Sequence, residues 1–208
     1  MALCAAMPRR IEDLAAAMGL RRAMAYRHVA RGIELGVLQR YAPLRGEAGL
    51  ILASREGHRW CGSGLEVVAL NPALVVHWGA CSRLALRLES EFPGARVISD
   101  AELRFEEALS GREIASAKVG EREDGSARLH RPDLVVVNGD RPLAIEVELS
   151  PKAPIRLQQI MGGWRKAGCV EGVRYYVSAG KTRRAVERAV RNAYAEERVE
   201  LIELGMPK

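Results

Sequence analysis

The stretch RPDLVVVNGDRPLAIEVELS, residues 131–150, carries the pattern that decides the fold of the second half of the chain. An apolar run at 134–137 is followed by the turn residues Asn-Gly-Asp at 138–140, and a second run at 143–149 alternates apolar with acidic side chains. β-Branched runs and alternation are typical of strands, and a central Asn-Gly or Gly-Asp is typical of a tight hairpin. The stretch therefore predicts two antiparallel strands joined by a short turn.

The same pattern places acidic side chains relative to one another. Side chains alternate between the faces of a strand, so Glu146 and Glu148 share one face. If the hairpin has a two-residue loop, at 138–139 or at 139–140, paired positions sum to an odd number and Asp133 lies on the face of Glu146. An odd loop would place Asp133 on the opposite face. The even loop predicts that three carboxylates converge.

Three converging carboxylates disfavour full ionisation unless a divalent cation neutralises them. Mg²⁺ held by an aspartate and a glutamate activates water and stabilises charge on a phosphodiester. The Glu-Val-Glu alternation at 146–148 by itself favours a simpler interpretation, an amphipathic strand whose acidic face is solvated. The surrounding elements therefore decide between the two.

Helical and strand patterns alternate on both sides of the hairpin. A helix is predicted from about residue 77 to 92 and a strand at 95–99, whereas the polar stretch 111–127 is expected to contain a loop. The elements expected after the hairpin are a helix at 155–167, a strand at 173–177, a helix at 182–197 and a strand at 199–204. This order predicts an α/β (α+β) fold class.

The order helix, strand, strand, strand, helix, strand, with Pro-Asp opening one strand and Glu-x-Glu on the next, resembles the PD-(D/E)XK nuclease superfamily over about residues 77–177. The resemblance implies a restriction-endonuclease-like mixed-sheet core and a cleft that binds DNA. It implies that Asp133 and Glu146 bind Mg²⁺, for which Mn²⁺ can substitute, and that Glu89 on the first helix assists as a metal ligand.

The motif departs from the superfamily at its last position, where Glu148 replaces lysine. Glutamate at that position occurs among active members, so the departure leaves activity open. Lys152 lies beyond the strand and is expected either to reach the site or to serve as a plain phosphate contact or surface lysine. The candidate catalytic residues are Asp133, Glu146, Glu148 and Lys152. His130, just before Pro-Asp, is expected to approach the cluster through a structural hydrogen bond.

The first 36 residues predict two short helices with a glycine-containing turn between them. Apolar residues at helical spacing end at Gly19, and a second helix at about 21–35 ends at Gly36. Such a pair is a helix-turn-helix. The residues expected on the inward side of the second helix are Met24, His28 or Val29, Ala30 and Ile33.

A β-hairpin follows, with strands at 37–41 and 50–54 and a turn at 43–49. Helix-turn-helix plus hairpin resembles the winged-helix DNA-binding family over residues 9–60. A winged helix normally has a further helix before the pair, for which residues 2–7 are available. The resemblance implies that the second helix enters a major groove while the hairpin meets phosphates. The candidate DNA-binding residues are Arg21, Arg22, Tyr26, Arg27, Arg31, Arg40 and Arg45.

The composition agrees with a polyanionic partner and argues against a single-strand stacking platform, a structural zinc site, a Ser/His or Cys/His hydrolase and a membrane protein. The formal net charge is +6, only five of the 32 cationic residues are lysine, and the aromatic content of 5% argues against a base-stacking platform. The four cysteines lack metal-binding spacing and are expected to be buried and reduced. His58, His77 and His130 have no serine or cysteine at catalytic spacing. With no apolar run of membrane-spanning length, the chain is expected to be cytoplasmic and without a membrane partner.

Taken together, the patterns predict a winged helix-turn-helix domain at 1–62, a linker at 63–76 and a nuclease-like domain at 77–208. The combination resembles the replication-relaxation family of bacterial mobile elements and plasmids, which implies a role in replication, mobilisation or its control. Two hypotheses share binding to double-stranded DNA: a Mg²⁺-dependent endonuclease, and a non-catalytic accessory or transcriptional regulator with a degenerate nuclease fold. A protein-interaction module is a third. A palindromic target would make a homodimer natural.

Overall fold

The structure, a computed structural model, describes residues 2–205 and combines helices with several sheets, in agreement with the predicted α+β class. The helices are α1 (Ala2–Ala6), α2 (Ile11–Ala17), α3 (Arg22–Glu34), α4 (Arg55–Trp60), α5 (Val75–Glu91), α6 (Asp100–Ser110), α7 (Pro154–Lys166) and α8 (Lys181–Ala193). The strands are β1 (Arg9–Arg10), β2 (Leu38–Tyr41), β3 (Leu50–Ala53), β4 (Arg96–Ser99), β5 (Ala117–Glu121), β6 (Ala127–His130), β7 (Leu134–Val137), β8 (Leu143–Glu148), β9 (Gly172–Val177) and β10 (Val199–Glu203). The chain divides into two compact units, Met1–Pro93 and Gly94–Lys208.

In the first unit, α2 and α3 are joined by a turn in which Gly19 has φ +61°, a conformation that glycine adopts without strain. The predicted inward side of α3 was only partly right. Val29 is buried, but Ala30 and Ile33 are exposed, and the buried face runs through Ala25, Val29 and Gly32. Gly32 belongs to that face because Leu38 packs onto it: a Cβ at Gly32 would lie 2.6 Å from Leu38 Cδ1.

The antiparallel sheet of the first unit has the order β1-β3-β2. Its central strand, β3, is buried at every position, and α1 packs against it. α4 follows β3, and its N-cap is Ser54, whose hydroxyl accepts a hydrogen bond from Gly57 N at 3.0 Å. The small core of this unit is formed by Cys4, Ala5, Leu14, Val29, Ile51 and Ala53.

α5 belongs to the first unit because it packs on α2 and β1. The hydroxyl of Ser82 donates a buried hydrogen bond of 2.8 Å to Oδ2 of Asp13. Burial raises the pKa of Asp13, although the Ser82 hydrogen bond and the charges of neighbouring arginines lower it in part. Gly79 brings α5 close to β1, since a Cβ there would lie 3.0 Å from Arg10 Nε. Between α4 and α5, the segment predicted as a linker contains a 3₁₀ turn at Pro72–Leu74.

The second unit is built on a five-stranded mixed sheet with the order β10-β9-β8-β7-β4. Strands β8, β9 and β10 are parallel, whereas β7 pairs antiparallel with both β8 and β4. The crossovers β8-α7-β9 and β9-α8-β10 take the same direction along the sheet, so the right-handed rule places α7 and α8 on one face, where they pack together. The core under them includes Trp164, Tyr175, Leu157, Ile160 and Val186.

Two elements of the second unit differ from the sequence prediction. The first, α6, was missed altogether; it starts with a capping box in which the Glu102 carboxylate accepts from Ser99 N at 2.8 Å. The second is the hairpin of β5 and β6: the polar stretch 111–127 contains the expected loop, at residues 122–126, but also the strand β5. β5 forms because Ala117 and Val119 are buried against α7, a packing that its polar neighbours conceal in the sequence.

The hairpin of β7 and β8 has the predicted parity but a longer connection. Leu134 pairs with Ile145 and Val136 with Leu143, so paired positions sum to an odd number, as the prediction required. The predicted two-residue loop is wrong: residues 138–142 connect the strands, and Val137 at the end of β7 has no register partner on β8. Asp133 directly precedes β7 and continues the register opposite Glu146.

Within residues 2–205, the helices are all too short or too polar to span a lipid bilayer. All four cysteines are thiols outside any disulfide, as predicted, but only Cys4 and Cys81 are buried; Cys61 and Cys169 are half-buried.

Candidate carboxylate site

Glu146 and Glu148 occupy the same face of β8, the face that Trp164 of α7 contacts through Glu146. Both are buried, with 2% and 4% of their surfaces exposed. Asp133 lies beside them, directly before the neighbouring strand β7, and its Oδ2 accepts a hydrogen bond of 2.7 Å from Val147 N. Acidic side chains on a solvated strand face would be exposed, so the simpler interpretation of the Glu-Val-Glu alternation is wrong.

Glu146 is held by two ring donors. Its Oε1 accepts a hydrogen bond of 3.2 Å from the indole Nε1 of Trp164, which is fully buried on α7. The same oxygen lies 2.5 Å from Nε2 of His130, the last residue of β6. His130 therefore makes the structural hydrogen bond that the sequence suggested, and its ring contacts Trp164 edge-on at a centroid distance of 5.8 Å.

Tyr175 on β9 is the register partner of Glu146 and is fully buried. Burial raises the pKa of Tyr175 well above its usual range, and the charge of Glu146 adds to the rise. Among the described residues, the Tyr175 hydroxyl has no hydrogen-bond partner of good geometry, because the neighbouring indole N–H of Trp164 is directed at Glu146. A buried polar atom without a partner lies next to the carboxylates.

Lys152 reaches the carboxylates from the loop between β8 and α7, and its Nζ donates to Oε2 of Glu148. Burial raises the pKa of Glu148; the ammonium of Lys152 opposes the rise, and the charges of Glu146 and Asp133 add to it. Burial lowers the pKa of Lys152, but the charges of Glu146 and Glu148 outweigh that effect and the net change is a rise. The charges of all three carboxylates thus act on the ammonium of Lys152.

The donor set suits a hard divalent cation. Carboxylate oxygens are ligands that Mg²⁺ prefers, and a bound dication would relieve the repulsion from Glu146 and Asp133, which adds to the effect of burial on the pKa of Glu148. Of the residues expected to bind metal, Asp133 and Glu146 lie together in this cluster. Glu89 is exposed on α5 of the first unit, so the cluster described here consists of second-unit residues only.

The sequence analysis missed Glu107, a buried residue that holds the segment leading to Asp133 in place. Glu107 on α6 is 6% exposed and accepts hydrogen bonds from Ile114 N at 3.0 Å and from the Ser116 hydroxyl at 2.7 Å. Its Oε2 also accepts from Arg131 Nε at 2.9 Å, two residues before Asp133. Glu107 thereby ties the end of α6 to the segment that leads into β7. No local motif marks it, because its partners lie 7 to 24 residues away in the chain.

Four of the arginines expected to contact DNA are exposed on α3 or, for Arg21, at its N-cap, but they differ in their partners. Arg22 pairs with Glu12 at 2.9 Å and lies 5.5 Å from the ring centre of Tyr26, and Arg31 pairs with Glu34 at 3.1 Å. Within residues 2–205, Arg21 and Arg27 form no ion pair; an Nη of Arg27 lies 3.0 Å from the sulfur of Met24.

Two further arginines lie on the hairpin of the first unit. Arg40 is exposed on β2, where its side chain passes over Gly49, and Arg45 is exposed in the connection to β3. Neither has a carboxylate within ion-pair distance in the described part of the chain. Four of the candidate DNA-binding arginines therefore have no acidic partner in the described part of the chain: Arg21, Arg27, Arg40 and Arg45.

A scan against models of known protein families found no match to this chain, and a search of curated proteins found none either.

Proposed function

We propose that this chain is a DNA-binding protein with a PD-(D/E)XK-like, Mg²⁺-dependent endonuclease site in its second unit and a winged helix-turn-helix in its first. The observation that carries the proposal is one cluster of two buried glutamates, Glu146 and Glu148, with the half-buried Asp133 and the ammonium of Lys152. Burying two glutamates beside a third carboxylate is costly, and a chain selected for stability alone would replace them with apolar residues. Such perturbed clusters are typical of functional sites.

Lys152 supports the catalytic version of the proposal. The superfamily motif ends with a lysine where this chain has Glu148, yet the ammonium of Lys152 contacts that glutamate. The chain therefore supplies the missing charge from four residues further on. In this proposal Asp133 and Glu146 hold the metal ion, Glu148 positions Lys152, and Lys152 contacts the phosphate.

Mg²⁺ bound by these carboxylates would supply Lewis acidity and a lowered pKa for water. The side chains of the protein orient the metal-binding carboxylate and offer a further hydrogen-bonding group. His130 and Trp164 hold the Glu146 carboxylate in one orientation through its Oε1. The buried hydroxyl of Tyr175 offers a hydrogen-bonding group to an additional polar ligand next to Glu146.

The first unit supplies the DNA contacts in this proposal. α3 corresponds to the recognition helix and the β2–β3 hairpin to the wing, with the unpaired cations Arg21, Arg27, Arg40 and Arg45 directed at phosphates and base edges. The proposed context is replication or mobilisation of a plasmid or mobile element, as in the replication-relaxation family. Replacing Arg27 and Arg21 by glutamine is expected to weaken DNA binding more than replacing Arg22 and Arg31, since glutamates already neutralise the second pair.

The deciding experiment is cleavage of supercoiled, linear and branched DNA with Mg²⁺ or Mn²⁺. Wild type is compared with Asp133→Asn and Glu146→Ala, and Asp140→Asn, an exposed aspartate in the β7–β8 connection, is the matched control. Metal-dependent nicking that both site variants abolish and the control retains would support the nuclease. Lys152→Met is expected to lower kcat by a larger factor than it changes KM.

One observation favours the second candidate, a non-catalytic DNA-binding accessory or regulator. The protein alone already satisfies these carboxylates, because Glu146 accepts from His130 and Trp164 and Glu148 accepts from Lys152. Salt-sensitive DNA binding without cleavage, unchanged in Asp133→Asn and Glu146→Ala, would establish that candidate and reject the nuclease.

A further inference from the structure

A row of exposed cations follows one side of α8. Lys181, Arg184, Arg188 and Arg191 recur at spacings of three, four and three residues and are all exposed. Residues at these spacings lie one above another on a helix. At 1.5 Å per residue, the row is about 15 Å long.

The row has no acidic counterpart on its own helix. The carboxylate of Glu187 is already bound by Arg183 Nε at 2.8 Å, within the same helix. Throughout the described part of the chain, none of the four cations in the row forms an ion pair. Two exposed glutamates, Glu196 and Glu197, follow the helix and bound the row at its C-terminal end.

The row begins beside the carboxylate site. The hydroxyl of Thr182 donates to Leu149 O at 3.4 Å, and that of Ser178 donates to the same oxygen at 2.9 Å. Ser178 N also donates to Glu148 O at 3.0 Å. The N-terminus of α8 is therefore fastened to the end of β8, the strand that carries Glu146 and Glu148.

We propose that Lys181, Arg184, Arg188 and Arg191 form a phosphate-binding row that holds a DNA backbone on the second unit and leads it to the carboxylate site. The proposal rests on the proposed function and adds a second binding surface to it, separate from α3. Charge complementarity supports DNA as the occupant, because phosphates repeat along a strand as the cations repeat along the helix.

Strongly basic amphipathic helices also bind anionic membranes, but the packing of α8 argues against that occupant. Membrane-surface helices bury their apolar face among lipid chains. The apolar face of α8, formed by Val186, Ala189 and Val190, is buried within the second unit. Only the cationic side is available, which suits a phosphate backbone better than a bilayer.

The test uses Arg184→Gln with Arg188→Gln in the full chain. Arg112→Gln with Arg122→Gln is the control, because these two arginines are also exposed in the second unit and lack ion pairs among the described residues. Both pairs change the net charge equally. Affinity for a labelled duplex is measured by fluorescence anisotropy across a salt series, and circular dichroism verifies folding.

Each lost phosphate contact lowers the slope of log affinity against log salt by about 0.9. The row variant is therefore expected to lose about 1.8 from the slope, and affinity at 0.1 M salt falls on the order of 10- to 100-fold. The control keeps the wild-type slope. Addition of Lys181→Gln and Arg191→Gln is expected to reduce the slope further.

The outcomes separate this proposal from the one on which it rests. If wild type binds DNA and the row variant binds it as tightly as the control variant does, the phosphate-binding row is overturned. The proposed function then still stands. Wild type that binds no DNA overturns both. Binding to phosphatidylserine vesicles that the row variant loses, with DNA affinity unchanged, would assign the row to a membrane and overturn the proposal.

Discussion

Nε2 of His130 lies 2.5 Å from Oε1 of Glu146, and this contact joins two separate sheets of the second unit. His130 ends β6 of the two-stranded sheet, while Glu146 lies in the middle of the five-stranded sheet. The short hairpin therefore contributes a side chain to the site rather than only covering it. Because Glu146 is buried, its two ring donors replace the water that would otherwise solvate it.

Replacing His130 by alanine leaves a buried carboxylate with one donor fewer. We expect the free energy of unfolding to fall by about 1–3 kcal/mol, since an unsatisfied buried polar group costs that much. His130→Gln retains a donor and is expected to lose less. Urea denaturation measures both. Equal stability of wild type and His130→Ala would show that the contact contributes nothing.

Two adjacent glycines of α7 are expected to respond in opposite ways to alanine. A Cβ at Gly163 would lie 2.9 Å from Lys118 O of β5, so Gly163→Ala pushes α7 away from the β5–β6 hairpin. We expect this change to lower the free energy of unfolding by about 1–3 kcal/mol. Gly162 has open space around it, and Gly162→Ala is expected to add about 0.5–1 kcal/mol through helix propensity. Thermal or urea unfolding of the pair tests the close packing of α7 on β5, which a stabilising Gly163→Ala would contradict.

The buried Asp13 predicts a pH dependence of stability. Burial raises its pKa in the folded chain above the ordinary 3.8, so the unfolded chain releases this proton at lower pH than the folded chain does. Stability contributed by the group is therefore lost as pH rises from about 3.8 to the raised pKa, and is constant above it. Asp13→Asn is expected to remove this loss while its amide oxygen still accepts from Ser82.

Ser82→Ala is expected to change the pH dependence of stability in the opposite direction to Asp13→Asn. The Ser82 hydroxyl lowers the pKa of Asp13, so removing it should raise that pKa further and extend the loss to higher pH. Urea unfolding over a pH series compares the three proteins. A pH profile of Asp13→Asn that superimposes on that of wild type would rule out this role for Asp13.

Divalent metal is expected to stabilise the second unit through its carboxylates. Mg²⁺ or Mn²⁺ at a hundredfold excess over its Kd would add about 2.7 kcal/mol, which corresponds to a rise of several degrees in Tm. Chelation should reverse the rise, and Asp133→Asn should abolish it, whereas Asp140→Asn should retain it. An identical metal response in wild type and Asp133→Asn would place metal binding elsewhere, whether or not the protein cleaves DNA.

Local patterns in the sequence determined most of the elements. Apolar spacing located α2, α3, α5 and α7, because helix formation depends on residues three and four apart. Strand alternation and the turn residues located β7 and β8, and parity placed Asp133 on the face of Glu146 although the loop is longer than predicted. That inference survived since register depends on whether the sum of paired positions is odd, not on the length of the turn.

Contacts between residues distant in sequence were decided only by the tertiary structure. The inward face of α3 depends on where Leu38 packs, and β5 is a strand because α7 covers it. The partners of Glu107 and the second donor to Glu146, Trp164, lie far along the chain and have no motif. Spacing in the sequence therefore determined which carboxylates share a face. Burial and the ring donors, which require the packed fold, fixed the orientation of Glu146 and raised the pKa of Glu148.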